Sequence, residues 1–268
     1  MNITNKTVLI TGASSGIGSA IAKAMVQAGA TQVLLLAYDE EGLKKVATEI
    51  EMRGGKTCIY PVDLSNSDAV AQTAQRILNE VGVPDILINN AGRGQWKFLE
   101  DTSAEEIEQM MAVPYFAAAW LTRVFLPGML KRGDGHIVNI SSVASRLTWP
   151  GATAYIAQCR AMRGFSDALQ SDLHGTGINV THYESGPIDS PYWQHNPGSR
   201  ERVPKIASML VPVLTQEQVA KAIVEGVRRK KQLIVIPSMM KLVYVLHFFF
   251  PSLVRWLMRT TGYHRKHN

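Results

Sequence analysis

Gly12, Gly16 and Gly18 fall in the run Thr11-Gly12-Ala13-Ser14-Ser15-Gly16-Ile17-Gly18, whose chemistry is to hold phosphate. The glycines let the backbone bend tightly and come close to a pyrophosphate. A helix starting at the end of the run offers free N–H groups and the positive end of its dipole. Glycine clusters also mark ordinary turns, so the flanks decide. Lys6-Thr7-Val8-Leu9-Ile10 before the run is β-branched and apolar, as a buried parallel strand requires. Ile17-Gly18-Ser19-Ala20-Ile21-Ala22-Lys23-Ala24-Met25 places apolar residues at helical spacing. Strand, glycine turn and helix together predict a cradle for a dinucleotide, with Gly12, Ser14, Ser15, Gly16, Ile17 and Gly18 around the phosphates.

Other chemistries find less support. Cys58 and Cys159 are the only cysteines, which excludes a disulfide framework and a zinc-type cluster and suits a reducing compartment; no metal site is expected. The net charge of +6 is not gathered in one patch, and no zinc-finger, basic-zipper or RNA-recognition signature is present, so nucleic acid is not an expected partner. Met1 to Lys6 lead straight into the first strand, leaving no room for a signal peptide in the sequence as it stands.

The elements that must carry the cradle follow in order. Val33–Ala37 reads as a second strand and 39–52 as a helix closed by Gly54-Gly55. Cys58–Val62 is a third strand, 67–81 a helix, Asp85–Asn89 a fourth strand. Ser103 and Glu106 have capping-box spacing at the head of a long helix. His136–Ile140 is a fifth strand, 155–174 a helix, Ile178–His182 a sixth strand and Leu233–Ile236 a seventh. A chain of 268 residues, 46% of them hydrophobic, buries one large core. The alternation predicts an α/β, Rossmann-like, doubly wound parallel sheet of about seven strands, one domain over 1–238, with an apolar helical extension over 239–268.

With these residues placed, the chain resembles the short-chain dehydrogenase/reductase family from residue 4 to about 238. The resemblance rests on Thr11 to Gly18, Asp63-Leu64, Asn89-Asn90-Ala91-Gly92, Ser141-Ser142, Tyr155 and Ser185-Gly186-Pro187-Ile188-Asp189-Ser190. It implies that NAD or NADP is the cofactor, with Gly12, Gly16 and Gly18 at the pyrophosphate and Asp63 and Leu64 flanking the adenine. Asn90, Ala91 and Gly92 would line the adenosine half, and Ile188 and Ser190 the nicotinamide carboxamide. It further implies that Ser142 steadies the substrate oxygen and Tyr155 passes the proton. The choice between NAD and NADP is open: Tyr38 stands where NADP-dependent members carry arginine, and Asp39 sits slightly past the usual NAD acid, where it also suits the start of a helix.

Two of the four catalytic side chains implied by the resemblance are replaced. Cys159, four residues after Tyr155, takes the lysine position, and Pro114 takes that of an asparagine. Residues i and i+4 share a helix face, so Cys159 points where the ammonium would, offering a weak donor with no charge. Without a cation Tyr155 is expected to stay near the ordinary phenol value of about 10, which harms alcohol oxidation more than carbonyl reduction. Arg160, about 100° around the helix, and Arg163, a turn beyond Cys159, are the candidate replacement cations; either also suits a solvated helix face. Pro114 cannot donate to the carbonyl of Met110, so the helix is expected to kink there. An NAD(P)-dependent oxidoreductase that interconverts an apolar alcohol and its carbonyl, better as a reductase, and a nucleotide- or lipid-binding pseudoenzyme both remain open.

The segment 191–214 mixes Tyr192, Trp193, Pro197, Pro204, Ile206, Met209 and Leu210, as a lid over a greasy cleft would. With Trp96 and Trp149 it suggests a bulky apolar substrate, lipid, steroid or retinoid-like, although such residues also fill cores. In the extension, the charge-free run Leu242–Val254 is 13 residues, short of the roughly 20 that span a bilayer. Its aromatics, with Arg255, Arg259, Arg265 and Lys266, suit an interfacial helix pair on the cytoplasmic side of a membrane; a dimer or core-capping helix is the alternative, and a homo-oligomer is left open.

Overall fold

The structure, a computed structural model, describes residues 1–265, so Lys266 of the basic tail lies outside the described residues. Seven strands form one parallel sheet in the order β3-β2-β1-β4-β5-β6-β7. They are β1 (Thr7–Thr11), β2 (Gln32–Ala37), β3 (Lys56–Pro61), β4 (Ile86–Asn89), β5 (Gly135–Ser142), β6 (Ile178–Ser185) and β7 (Leu233–Ile236). Alternate residues of each strand face opposite layers, so Val8 and Ile10 pack one way and Leu9 the other. On the first face lie α1 (Gly16–Gln27) and α2 (Glu40–Glu51), with α9 further along the chain (Gln216–Arg228). The second face is covered by α3 (Ser67–Glu80), α5 (Ala117–Arg132) and α6 (Thr153–Asp172). Both faces are therefore dry, which is why the strands read as continuous apolar runs.

The capping box expected at Ser103 and Glu106 opens α4 (Ala104–Met111). Between α4 and α5 the residues Ala112–Phe116 form a single π turn around Pro114, and the amide of Ala117 reaches back to the carbonyl of Ala112. Proline has no N–H to give Met110, and a widened turn is how a helix absorbs that loss.

Two strands run further than their apolar stretches suggested: β5 continues past Ile140 to Ser142, and β6 past His182 to Ser185, pairing Ser141 with Glu184 and Ser142 with Ser185. Polar residues do not end these strands because they find partners inside the fold. The carboxylate of Glu184 is fully buried and accepts from Ser145 Oγ (2.8 Å), Arg146 Nε (2.9 and 3.0 Å) and Arg163 Nη1 (2.6 Å), with His182 Nε2 at 3.4 Å. Burial alone raises its pKa; the hydrogen bonds from His182 and Ser145 and the charge of Arg146 overcome this and hold it at about 2. This cluster joins β6, α6 and the loop after β5. Its other wall is Tyr244 of α10 (Met239–Phe249), whose ring lies under the Arg146 guanidinium at 4.7 Å.

The consequence is measurable. Glu184→Gln leaves Arg146 without its counter-charge and Arg163 with only Asp167, and is expected to cost about 3 kcal/mol at pH 7, the low end for a broken buried pair because both arginines keep 26% exposure. A carboxyl whose folded pKa is depressed contributes stability above its unfolded pKa and loses it as pH falls to the folded value. The gap between wild type and variant in urea unfolding should therefore close between about pH 4.5, the ordinary carboxylate value, and about pH 2.

Candidate functional site

β1 and β4 are neighbours, and the chain order reverses between them, which places a crevice at their carboxyl ends. The glycine turn sits there. Gly12 and Gly16 have φ of +66° and +56°, a region other residues enter only with strain. A side chain at Gly12 would lie 2.9 Å from the Cα of Ala91, and one at Gly18 would strike the Gly12 carbonyl and Asn90 Nδ2. α1 begins with no side-chain cap from Ser15 and no acid in its first turn. Free amides beside an uncluttered, glycine-walled hollow fit the pyrophosphate of a dinucleotide.

The opposite wall is locked to the turn. Thr11 Oγ1 accepts from the amides of Asn90 and Ala91, both at 2.9 Å, and Asn90 Nδ2 donates to the carbonyls of Thr11 (2.9 Å) and Gly12 (3.3 Å). Of the other expected cofactor residues, Ser15 and Gly92 are exposed, Ser14 is partly buried, and Ile17 lines the cavity described next. Asp39 caps α2 by accepting from the Gly42 amide (3.0 Å), the helix-start role its position also suited. Asp63 folds onto its own turn through Ser65 N (2.9 Å) and Oγ (2.7 Å), while Leu64 packs into the core. Ile188 and Ser190 line the cavity described next.

Ser142 ends β5, and its Oγ accepts from the Ala144 amide at 3.3 Å. The Tyr155 hydroxyl, one turn into α6, faces Ser142, Cys159 and Tyr192. The expectation that Tyr155 keeps its ordinary pKa is overturned. Burial pushes it well above 10, Cys159 and Tyr192 add to the rise, and the Ser142 hydrogen bond only partly opposes it. Cys159 is itself buried among Tyr155, Ser141 and the Ser142 backbone, and its thiol is pushed up to about 12, mainly by burial. It is a neutral, inert thiol. Nor does an arginine replace the missing cation: Arg163 is engaged with Glu184 and Asp167, and Arg160 donates to the Arg146 carbonyl.

Beyond this hydroxyl pair opens a cavity of about 360 Å³. Ser141, Ser142, Tyr155, Ser185 and Ser190 are polar groups on its wall, and most of the remainder is apolar. Trp96 stacks obliquely on Tyr155 and on Trp149, both at 5.1 Å between centroids, and edge-on to Trp193 at 5.7 Å. Its indole donates to Tyr192 Oη (3.2 Å), which donates to the Gly94 carbonyl (2.5 Å). Gly94 must be glycine, since a Cβ there would stand 2.9 Å from the Tyr155 ring. The segment 191–214 supplies α7 (Tyr192–His195) and α8 (Lys205–Leu210), and residues of both line the cavity. The extension does more than the sequence suggested. α10 and α11 (Pro251–Thr260) meet at 115° and contribute Met240, Val243, Leu246, Val254, Leu257 and Met258 to the cavity wall. Their apolar positions were legible, but no local signal showed which side of them faces substrate. Among the described residues no cluster of metal-ligating side chains occurs.

A doubly wound parallel sheet with a glycine cradle at its switch point defines a dinucleotide-binding α/β domain. The chain belongs to the short-chain dehydrogenase/reductase family: residues 6–200 match the short chain dehydrogenase family. It is 40% identical over 194 residues to an uncharacterized oxidoreductase of Mycobacterium tuberculosis, a match covering 70% of this chain and 57% of that one. The chain thus spans little more than half the length of that relative. It is 36% identical over 235 residues to a fatty acyl-CoA reductase of Acinetobacter baylyi, covering 87% and 76% of the two chains. A metagenomic short-chain oxidoreductase solved in complex with NADP superposes with a TM-score of 0.72 at 28% identity, covering 88% of this chain and 98% of that one.

The cradle can be tested directly. Gly18→Ala pushes a methyl into the Gly12 carbonyl, so the turn must shift; titration of NADH or NADPH against intrinsic fluorescence should show affinity at least about tenfold weaker.

Proposed function

We propose that this protein is an NAD(P)-dependent reductase of a bulky apolar carbonyl compound, with Tyr155 as the proton donor and Ser142 as the hydrogen-bond donor to the substrate oxygen. The observation that carries the reading is the meeting, at one end of an apolar cavity, of the Ser142–Tyr155 pair with Ile188 and Ser190 of the cofactor-side loop. A reduced nicotinamide, when bound, supplies the hydride. The chain's residues do the rest. Ser142 Oγ–H points the carbonyl oxygen at Tyr155 Oη, the phenol releases its proton to the developing alkoxide, and the indole wall keeps water away. The acyl chain, ring system or polyene of the substrate lies along Trp149, Ile206, Val243 and Met258. The similarity to a fatty acyl-CoA reductase supports a long apolar substrate. The exposed apolar face of α10 and α11 supports peripheral attachment to a membrane surface.

Direction follows from the proton. Reduction needs the neutral phenol, which a raised pKa preserves; oxidation of an alcohol needs the phenolate, which burial without a neighbouring cation suppresses. The same burial makes Tyr155 a reluctant acid, so turnover is modest. One observation favours a second reading, a nucleotide-dependent lipid-binding protein without turnover: Cys159 and its neighbours place no positive charge beside Tyr155.

Initial rates on a panel of long-chain and polycyclic ketones, with NADH and with NADPH, separate the two. Tyr155→Phe should lower the rate by about 100- to 10,000-fold. No turnover in wild type with either cofactor establishes the binding protein instead, and equal measurable rates in wild type and variant exclude Tyr155 as the proton donor. In wild type, ketone reduction should stay level from neutral pH up to about 9, below the ordinary phenol pKa of about 10, whereas alcohol oxidation should climb throughout because phenolate accumulates only as pH approaches the raised value.

A further inference from the structure

The cavity wall changes character along its length. Ile17 and Ser190 line it on the side of the glycine turn. Leu210 of α8 and Leu246 of α10, in the elbow it forms with α11, line it and are at the same time 61% and 45% exposed, so the cavity reaches the surface at these two residues. Both segments carry further exposed apolar residues. Met209 and Val213 stand exposed on the α8 side, and Leu242, Val245, Leu253 and Trp256 on the elbow side. Phe248, Phe249 and Phe250 project from the bend, Phe248 at 78% exposure. Isolated exposed apolar residues are ordinary; a contiguous rim around a cavity mouth is not.

We infer that this rim rests on an anionic lipid bilayer and that substrate passes from the bilayer into the cavity between Leu210 and Leu246 without crossing water. The inference rests on the apolar-substrate reading above and adds the route. Charge selects the occupant. No Asp or Glu follows Glu225 in the sequence, and Lys241, Arg255 and Arg259 stand exposed around the aromatic face. Such a face attracts anionic headgroups while its aromatics sit at the interface. A second copy would bring the same cations against one another. Consecutive phenylalanines at a bend point in different directions, which suits a fluid apolar phase better than one protein groove. α10 and α11 are held for this by the core: Met240, Val254 and Met258 are buried, the amide of Lys205 on α8 donates to the Thr261 carbonyl (2.8 Å), and Tyr244 is fixed on Arg146.

Transfer of a long-chain ketone brominated in its chain, from phosphatidylcholine–phosphatidylserine vesicles to the protein, tests the route. Quenching of the cavity tryptophans reports arrival, in a Trp120→Phe, Trp256→Phe background that leaves Trp96, Trp149 and Trp193, all three on the cavity wall. Entry from the bilayer predicts a transfer rate that rises with vesicle concentration. Phe248→Ser, Phe249→Ser and Phe250→Ser together, none of which lines the cavity, should make it at least about tenfold slower and independent of vesicle concentration, because the ketone must then travel through water. Leu210→Arg should keep vesicle binding yet slow transfer. A wild-type rate independent of vesicle concentration, or a triple variant as fast as wild type, overturns the route. Quenching from detergent micelles but never from vesicles also overturns the route and leaves the substrate class standing. Absence of quenching from either source overturns the substrate class and the route together.

Discussion

A carboxylate with no access to water sets the terms for this molecule. Glu184 lies in a strand buried on both faces, where an uncompensated charge would cost several kcal/mol. It is tolerated only because Ser145, Arg146 and Arg163 converge on it. Those partners come from the loop that follows Ser142 and from the helix that carries Tyr155. Tyr244 closes the same cluster from the extension. One electrostatic requirement therefore ties together the segments that carry Ser142 and Tyr155 and the seat of the helix pair that walls the cavity. Asn89, Asn139, Ser166 and His182 continue the polar chain through the core, from Asn89 Nδ2 donating to Asn139 Oδ1 (2.8 Å) to His182 Nδ1 beside Ser166 Oγ (3.1 Å). The strand ends that carry Ser142 and Ser185 are thus held by buried polar bonds, with apolar packing around them.

The same requirement explains what the site lacks. Arg163 stands near enough in sequence to Cys159 to be a substitute cation, but its charge is already neutralised by Glu184. Tyr155 is left among a thiol, a serine and a second phenol, none of which stabilises a phenolate. The low-dielectric surroundings then hold the proton on the tyrosine. With Arg146 and Arg163 both paired with Glu184, neither arginine is left to stabilise a phenolate at Tyr155.

Polarity changes along the crevice in a way that separates two kinds of ligand. At the switch point, free amides and glycine walls suit a charged pyrophosphate. Past the hydroxyl pair, indoles and aliphatic side chains from several stretches of chain wall the cavity. The serine–tyrosine pair lies on the wall of that cavity.

The strand runs, the helix caps and the glycine turn were readable locally because each is a property of neighbouring residues: β-branched runs, Ser103 with Glu106, glycines where φ turns positive. Ser142 and Tyr155 were legible as a spaced pair, and Pro114 as a break that the structure resolves into a π turn. Tertiary structure alone decided the rest. Whether Arg163 is free depends on Glu184, twenty-one positions away, and the pKa of Tyr155 depends on burial that no local pattern records. The extension reads from its residues as an interfacial helix pair or a core-capping or dimer helix; only packing shows that some of its residues form cavity wall while others stand exposed. Local sequence specifies backbone conformation and polarity, whereas charge compensation and solvent exclusion are sums over residues that meet only after the chain has folded.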